Sequence, residues 1–198
     1  LWSPDEPRVA GICAEMARTG EWLVPRLNGE AFLEQPPLYY WMSAAFVKAF
    51  GADEYVARLP SLLSGLLGAL LTYLLARNMG ASRFGGFVCA FALCTFSGYW
   101  SMAQRCVVDM TMCFFITASM FSFHMFATRK GRHGVLWAGL FALAAGGAVM
   151  TKGLVGLAVP SSALFFWLVL RKDFTLKSWA CLFIGAGLLT GAAVAISL

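Results

Sequence analysis

Long apolar runs separated by short polar stretches fill the chain after its first 57 residues. The runs lie at 59–76, 84–99, 107–127, 135–150, 154–170 and 179–198. A bilayer core is crossed by about 20 apolar residues, and fewer suffice where the core is thin or a helix enters protein. The pattern therefore predicts an all-α fold, with a polytopic bundle of about six transmembrane helices over residues 58–198.

Residues 1–57 follow a different pattern, which predicts an outer loop of amphipathic juxtamembrane helices. Ser3 can cap a helix, Pro4 fits its first position and Glu6 completes a capping box. An apolar stripe follows at helical spacing, and the helix is expected over 4–18, lying at the membrane interface and ended by Gly20. A second helix is expected from Pro36-Pro37 to Phe50, with its aromatic residues at the level of the lipid headgroups.

Basic residues between the apolar runs set the expected topology. They form three clusters, which should share the cytoplasmic side: Arg77 with Arg83; Arg129, Lys130 and Arg132; Arg171, Lys172 and Lys177. The chain must then cross the membrane twice between 135 and 170, with an outer turn at Thr151-Lys152-Gly153, because a lysine deep in lipid is unfavourable. Residues 1–57 and the turn 99–109 fall on the same outer side.

Composition narrows the class of protein. The chain is 60% hydrophobic and 13% charged, with a mean hydropathy of +0.72, which indicates an integral membrane protein. The net charge of +5 comes from loops between apolar runs, so nucleic acid is not an expected partner. Six cysteines show neither metal-ligand spacing nor a disulfide framework. Because the chain starts at Leu1 and ends within an apolar run, we expect a fragment that lacks a first helix and a C-terminal part.

Ionisable residues gather on the predicted outer side. Eight of the ten acidic residues lie in residues 1–57. Seven charged groups from separate segments can converge there: Asp5, Glu6, Arg8, Glu34, Arg105, Asp109 and Lys152. Four of them have a plain alternative: helix capping for Asp5 and Asp109, a solvated loop acid for Glu34, and a snorkelling side chain for Lys152.

Four short motifs follow one another along the chain: Asp5-Glu6-x-Arg8, Glu34-x-Pro36-Pro37, Arg105 ahead of Asp109, and Thr151-Lys152-Gly153. In this order they resemble the GT-C membrane glycosyltransferases, in particular the aminoarabinose transferases that modify lipid A and the related protein O-mannosyltransferases. The resemblance covers nearly the whole chain. No single motif is specific, and the family's Glu-Lys-Pro motif has a lysine where this chain has Gln35.

The resemblance implies an inverting transfer of a sugar from a polyprenyl-phosphate carrier to an acceptor outside the membrane. It makes Asp5 and Asp109 the expected catalytic residues, and Asp5 is the first choice as the base that an acceptor hydroxyl needs. The leaving phosphate needs cations, and the candidates are Arg8, Arg105 and Lys152. Substrate-binding roles are expected for Glu6, Glu34 and Gln35.

Cofactor and acceptor stay open at this point. Glu34 could bind the sugar or share a divalent metal ion, but no ligand cluster makes a metal certain. The expected partners are a polyprenyl-phosphate-linked sugar donor, a lipid or protein acceptor, and the bilayer of a bacterial inner membrane, with the site facing the periplasm. The alternatives are a protein O-mannosyltransferase of the same fold, a membrane transporter, whose ionisable groups would lie near the bilayer midplane, and a structural membrane subunit.

Overall fold

The computed structural model of the protein describes residues 5–129 and 132–171. These form helices and one short antiparallel hairpin, in the order α1 (Asp5–Thr19), β1 (Arg26–Leu27), β2 (Glu30–Ala31), α2 (Leu38–Phe50), α3 (Glu54–Asn78), α4 (Arg83–Thr95), α5 (Ser97–Ala103), α6 (Val108–Thr128), α7 (Arg132–Lys152) and α8 (Leu154–Arg171). The predicted all-α class is confirmed. The capping residues Ser3 and Pro4 and the apolar run 179–198 lie outside the described residues.

Three helices of the described part are long and apolar enough to cross a membrane: α3, α6 and the stretch His133–Lys152 of α7. The run 84–99, predicted as one helix, is instead divided between two helices, α4 and α5, which meet at an angle of 70°. Phe96 causes the break because its extended backbone (φ −66°, ψ 120°) ends α4. Ser97 and Gly98, which follow, are poor helix-interior residues.

Contacts along the helices give their directions. Ser61 contacts the Val107 carbonyl at 3.1 Å and Ser64, one turn later, contacts the Thr111 hydroxyl at 3.0 Å, so α3 and α6 run side by side in the same direction. The rings of Phe121 and Trp137 meet edge to face at 5.5 Å, and α7 returns antiparallel to α6. The starts of α3 and α6 and the end of α7 therefore lie at one end of the bundle. This is the outer end of the predicted topology.

The predicted break after α7 is confirmed. The helix ends at Lys152, and Gly153 adopts a left-handed backbone conformation (φ +67°) before α8 begins. Its amide N–H donates to the Val149 carbonyl at 2.7 Å, which closes the last turn. Lys152 is thereby held at the end of the bundle.

The outer head consists of α1, the hairpin and α2, packed on the start of α3. Its core joins Ile12 and Met16 of α1 to Tyr39 and Tyr40 of α2, and all four side chains are fully buried or nearly so. The headgroup position predicted for the aromatics of α2 is thus wrong for its two tyrosines. They are buried because α2 packs between α1 and α3, and the Tyr39 hydroxyl finds a partner in the Ser61 hydroxyl at 2.8 Å.

Candidate active site

A polar cavity of about 110 Å³ lies at the outer end of the bundle. It is enclosed by α1, by the segment that leads into α2, and by the ends of α6 and α7. Its lining residues are Asp5, Arg8, Val9, Phe32, Gln35, Tyr40, Val107, Val108, Asp109 and Lys152. Five of the eight residues that the sequence predicts for the site therefore meet in one place, although they come from four separate segments.

Arg8 is the positively charged residue that α1 contributes to the cavity. Its Nη2 atom lies 3.1 Å from Asp5 Oδ1, one helical turn earlier, and 3.6 Å from Glu34 Oε2. Its guanidinium also lies over the Phe32 ring, 5.3 Å from the centroid. Because the Asp5 and Glu34 side chains are 63% and 64% exposed, each pair stabilises the fold by only about 0–1 kcal/mol. Arg8 can therefore exchange these carboxylates for a bound anion at little cost.

Asp109 and Lys152 form the second charged pair of the cavity. Asp109 is in the first turn of α6 and Lys152 is the last residue of α7, and Lys152 Nζ donates to Asp109 Oδ1. An acid at a helix N-terminus and a base at a C-terminus are both favoured by the helix dipoles. Pairing also removes the penalty of isolated charges beside the membrane. The antiparallel hairpin of α6 and α7 brings the two residues together across 43 positions.

Aromatic residues complete the cavity wall, and the sequence did not predict them. Tyr40 is fully buried, and its hydroxyl donates to Gln35 Oε1 at 3.4 Å. Its ring meets Phe32 edge to face at 6.1 Å. Burial raises the pKa of Tyr40 above its ordinary value, and nearby Cys13 adds to the shift, so the phenol stays protonated. The sequence feature that could have indicated this contact is the short distance along the chain between Gln35 and Tyr40, which lie on either side of the start of α2.

Glu6 does not line the cavity. Its side chain is 1% exposed and accepts from Arg58 Nε at 2.9 Å and Nη2 at 3.3 Å, and from the Cys106 backbone N–H at 2.8 Å. A buried carboxylate with these partners ties α1 to α3 and to the loop before α6. The geometry therefore favours a structural role for Glu6 over the substrate-binding role predicted from the sequence.

The loop before α6 is held from a second side. The Ser61 hydroxyl donates to the Val107 carbonyl at 3.1 Å, and the Tyr39 hydroxyl lies 3.6 Å from Cys106 Sγ. These contacts fix the start of α6, and with it Asp109. Arg105 lies in the same loop with a partly exposed side chain, but it does not line the cavity. Its phosphate-binding role stays a prediction.

The chemistry available in the cavity is that of acids and cations set side by side. Asp5 and Asp109 supply carboxylates, while Arg8 and Lys152 supply positive charge for an anionic group. Within residues 5–129 and 132–171, no three His, Cys, Asp or Glu side chains are grouped so that they could hold a metal ion.

Comparison with known proteins gives consistent matches. The family model of dolichyl-phosphate-mannose-protein mannosyltransferase matches residues 2–196. The undecaprenyl phosphate-alpha-4-amino-4-deoxy-L-arabinose arabinosyl transferase 2 of Proteus mirabilis is 35% identical over 177 residues, which is 88% of this chain and 32% of the relative. The corresponding transferase of Edwardsiella ictaluri is 31% identical over 201 residues, covering 100% of this chain and 35% of the relative. The chain thus spans about a third of the length of these curated relatives.

Solved structures show the same likeness. ArnT from Cupriavidus metallidurans in the apo state superposes on 98% of this chain with a TM-score of 0.85 and 29% identity, over 36% of its own length. The same protein bound to undecaprenyl phosphate gives a TM-score of 0.84 and 28% identity over 37% of its length. The Saccharomyces cerevisiae Pmt1-Pmt2 complex, at a TM-score of 0.68 and 18% identity, shares the fold.

Proposed function

The chain belongs to the dolichyl-phosphate-mannose-protein mannosyltransferase family and has the GT-C fold of its relatives; from this premise we propose that it transfers one sugar from a polyprenyl-phosphate carrier to an acceptor at the outer face of the membrane. The observation that carries the proposal is the cavity in which Asp5 and Asp109 lie beside Arg8 and Lys152, at one end of an apolar bundle. The carrier is supported by the 28% identical ArnT structure that binds undecaprenyl phosphate.

Each charged residue of the cavity has a role in this reaction. The acceptor hydroxyl gives its proton to Asp5 as its oxygen attacks the anomeric carbon, and the bond to the carrier phosphate breaks with inversion. The electron pair leaves on the phosphate, whose charge Arg8 and Lys152 stabilise once they release their carboxylate partners. Asp109, freed from Lys152, orients the sugar or the acceptor.

The relatives support a proposal for the acceptor and the location. Those named as aminoarabinose transferases are 31% and 35% identical, whereas the protein O-mannosyltransferase complex is 18% identical. This difference favours a glycolipid such as lipid A over a protein as the acceptor, in a bacterial inner membrane with the cavity facing the periplasm. The transporter alternative is disfavoured because the bent helix pair α4 and α5 carries no Asp, Glu, Lys or His, and its one arginine, Arg83, is the first residue of α4.

The test is Asp5→Asn in the full-length protein. Asparagine keeps the size and most of the hydrogen bonding of the side chain but cannot take a proton. Removing a general base lowers the rate by about 100-fold or more, while carrier affinity and thermal stability stay near those of the wild type. Turnover close to the wild type would overturn the role of Asp5. Glu21→Gln is the matched control, since this exposed acid of the outer head pairs with Arg26 and does not line the cavity.

A further inference from the structure

Gln35 gives the cavity an amide at the position where the family that the motifs resemble has a lysine. An amide presents one acceptor oxygen and two N–H donors. Which end faces the cavity decides what the residue can bind, because an oxygen would repel a phosphate while an N–H would attract it. A neighbour that engages one end leaves the other for the ligand.

Tyr40 engages the oxygen. Its hydroxyl donates to Gln35 Oε1 at 3.4 Å. The Tyr40 ring cannot easily turn away, since it is fully buried and makes edge-to-face contacts with Phe32 at 6.1 Å and with Tyr39 at 6.4 Å. Burial also raises the pKa of Tyr40, which keeps the phenol protonated and able to donate. The Nε2 group of Gln35 is then the end that offers its two N–H bonds to a ligand.

Arg8 adds a second donor to the same cavity. Its Nη2 atom faces Asp5 and Glu34, but its Nε atom is buried and has no hydrogen-bond partner among the described residues. A buried N–H without a partner is unfavourable, because it has lost its hydrogen bonds to water and gained none in return. A ligand that brings acceptor oxygens relieves this penalty. Both observations therefore favour a ligand rich in acceptor oxygens, such as a phosphate.

We propose that Tyr40 is a positioning residue, which turns the Gln35 N–H group toward a phosphate oxygen of the bound polyprenyl-phosphate carrier. Gln35 thereby replaces the family's lysine with an uncharged donor, and Arg8 Nε supplies the neighbouring contact. The inference rests on the proposed function. It also implies a weaker salt dependence, because a neutral donor is not screened by ions as an ammonium group is.

A double-mutant cycle in the full-length protein tests the coupling. Undecaprenyl phosphate is the probe, and its Kd is measured in detergent for the wild type, Tyr40→Phe, Gln35→Ala and the double variant. Tyr40→Phe keeps the buried ring and should raise the Kd by about 2- to 10-fold, the worth of one hydrogen bond. In the Gln35→Ala background, the same change should have no measurable effect. Equal effects in both backgrounds would overturn the proposal.

Two further variants exclude a purely structural explanation. Tyr39→Phe removes the neighbouring buried hydroxyl, which contacts Ser61 and Cys106 instead of the cavity, so it should lower thermal stability without coupling to Gln35. Gln35→Glu can still accept from Tyr40 but offers the phosphate only oxygen, so carrier affinity should fall. Retained affinity in Gln35→Glu would show that the Gln35 N–H group does not contact the phosphate and would refute the assigned orientation.

Gln35→Lys tests how a positive charge at position 35, where the family has a lysine, changes carrier binding. The lysine should tighten carrier binding at low salt and lose most of that gain at high salt, and in its background Tyr40→Phe should have no effect on the Kd. If the wild type binds the carrier and transfers sugar but the cycle is additive, only the role of Tyr40 fails. If the wild type neither binds undecaprenyl phosphate nor transfers sugar from a polyprenyl-phosphate donor, the proposed function fails and the role of Tyr40 with it.

Discussion

Replacing Arg58 tests the buried ion pair that joins the outer head to the membrane bundle. Arg58→Gln removes the guanidinium that donates twice to Glu6, at 2.9 and 3.3 Å. The carboxylate, 1% exposed, keeps the Cys106 N–H at 2.8 Å but loses the charged partner that Arg58 supplies. Taking a charged partner away from a buried carboxylate is unfavourable, because that partner helps to offset the cost of burying the charge.

The size of the effect follows from burial. Removing one partner of a fully buried pair costs about 3–5 kcal/mol. The Arg58 side chain is 21% exposed, and the new amide can still donate one hydrogen bond to Glu6. Both reduce the loss, so we expect the free energy of unfolding to fall by about 2–4 kcal/mol.

The assay is equilibrium unfolding of the full-length protein in detergent. Arg26→Gln is a matched control because Arg26 Nε lies 2.8 Å from Glu21 Oε2 in an exposed pair of nearly the same length. Its unfolding should stay close to that of the wild type, since exposed pairs contribute little. If Arg58→Gln and Arg26→Gln lower the free energy of unfolding equally, burial does not determine how strongly the Glu6 pair stabilises the protein, and the reasoning fails.

Two further predictions concern packing and pH. Gly147→Ala should lower the free energy of unfolding by about 1–3 kcal/mol, because the new methyl would lie 2.5 Å from the Phe115 ring. Gly139→Ala on the same helix is the control: its methyl meets nothing within 4 Å, so it should not lower stability. Thermal unfolding of both variants tests this difference. Burial raises the pKa of Cys106 from 9.0 to about 11, so iodoacetamide should leave this thiol unmodified in the native protein at pH 8. Because the unfolded thiol loses its proton first, this shift should lower stability as the pH rises from about 9 toward 11, as unfolding at several pH values would show.

Hydrophobic runs and basic loops predicted most of the membrane bundle. Lys152 is the instructive case, since a lysine between two apolar runs has to lie at a membrane boundary, and α7 ends there. The bend at Phe96 could not be predicted in the same way. No charge or proline interrupts 84–99, and the extended backbone of Phe96 arises within an apolar run that looks continuous.

The site was predicted as far as topology alone can place charged residues. Asp5 and Arg8 were expected on the same side as Asp109 and Lys152, and they line one cavity. Spacing along the chain could not separate Asp5 from Glu6. Neighbours on a helix point about 100° apart, so one carboxylate reaches the cavity while the other enters the interior.

Tyr40 shows a second limit of prediction from the sequence. An aromatic residue on an amphipathic helix suits a lipid interface as well as a protein core, and the packing of α2 between α1 and α3 decides for the core. That choice depends on residues distant in the chain. It determines whether the hydroxyl meets lipid headgroups or Gln35.

The hydrogen bond from Cys106 to Glu6 also bears on biosynthesis. It closes a loop of 100 residues, so α2, α3, α4 and α5 must all be synthesised before it can form. During synthesis Glu6 of α1 is made first, Arg58 follows with the start of α3, and the Cys106 amide comes only after α5. Completion of the outer head is therefore a late event, and in a chain stalled before α6 we expect α1 to be held less firmly, because its contact with Cys106 is still missing.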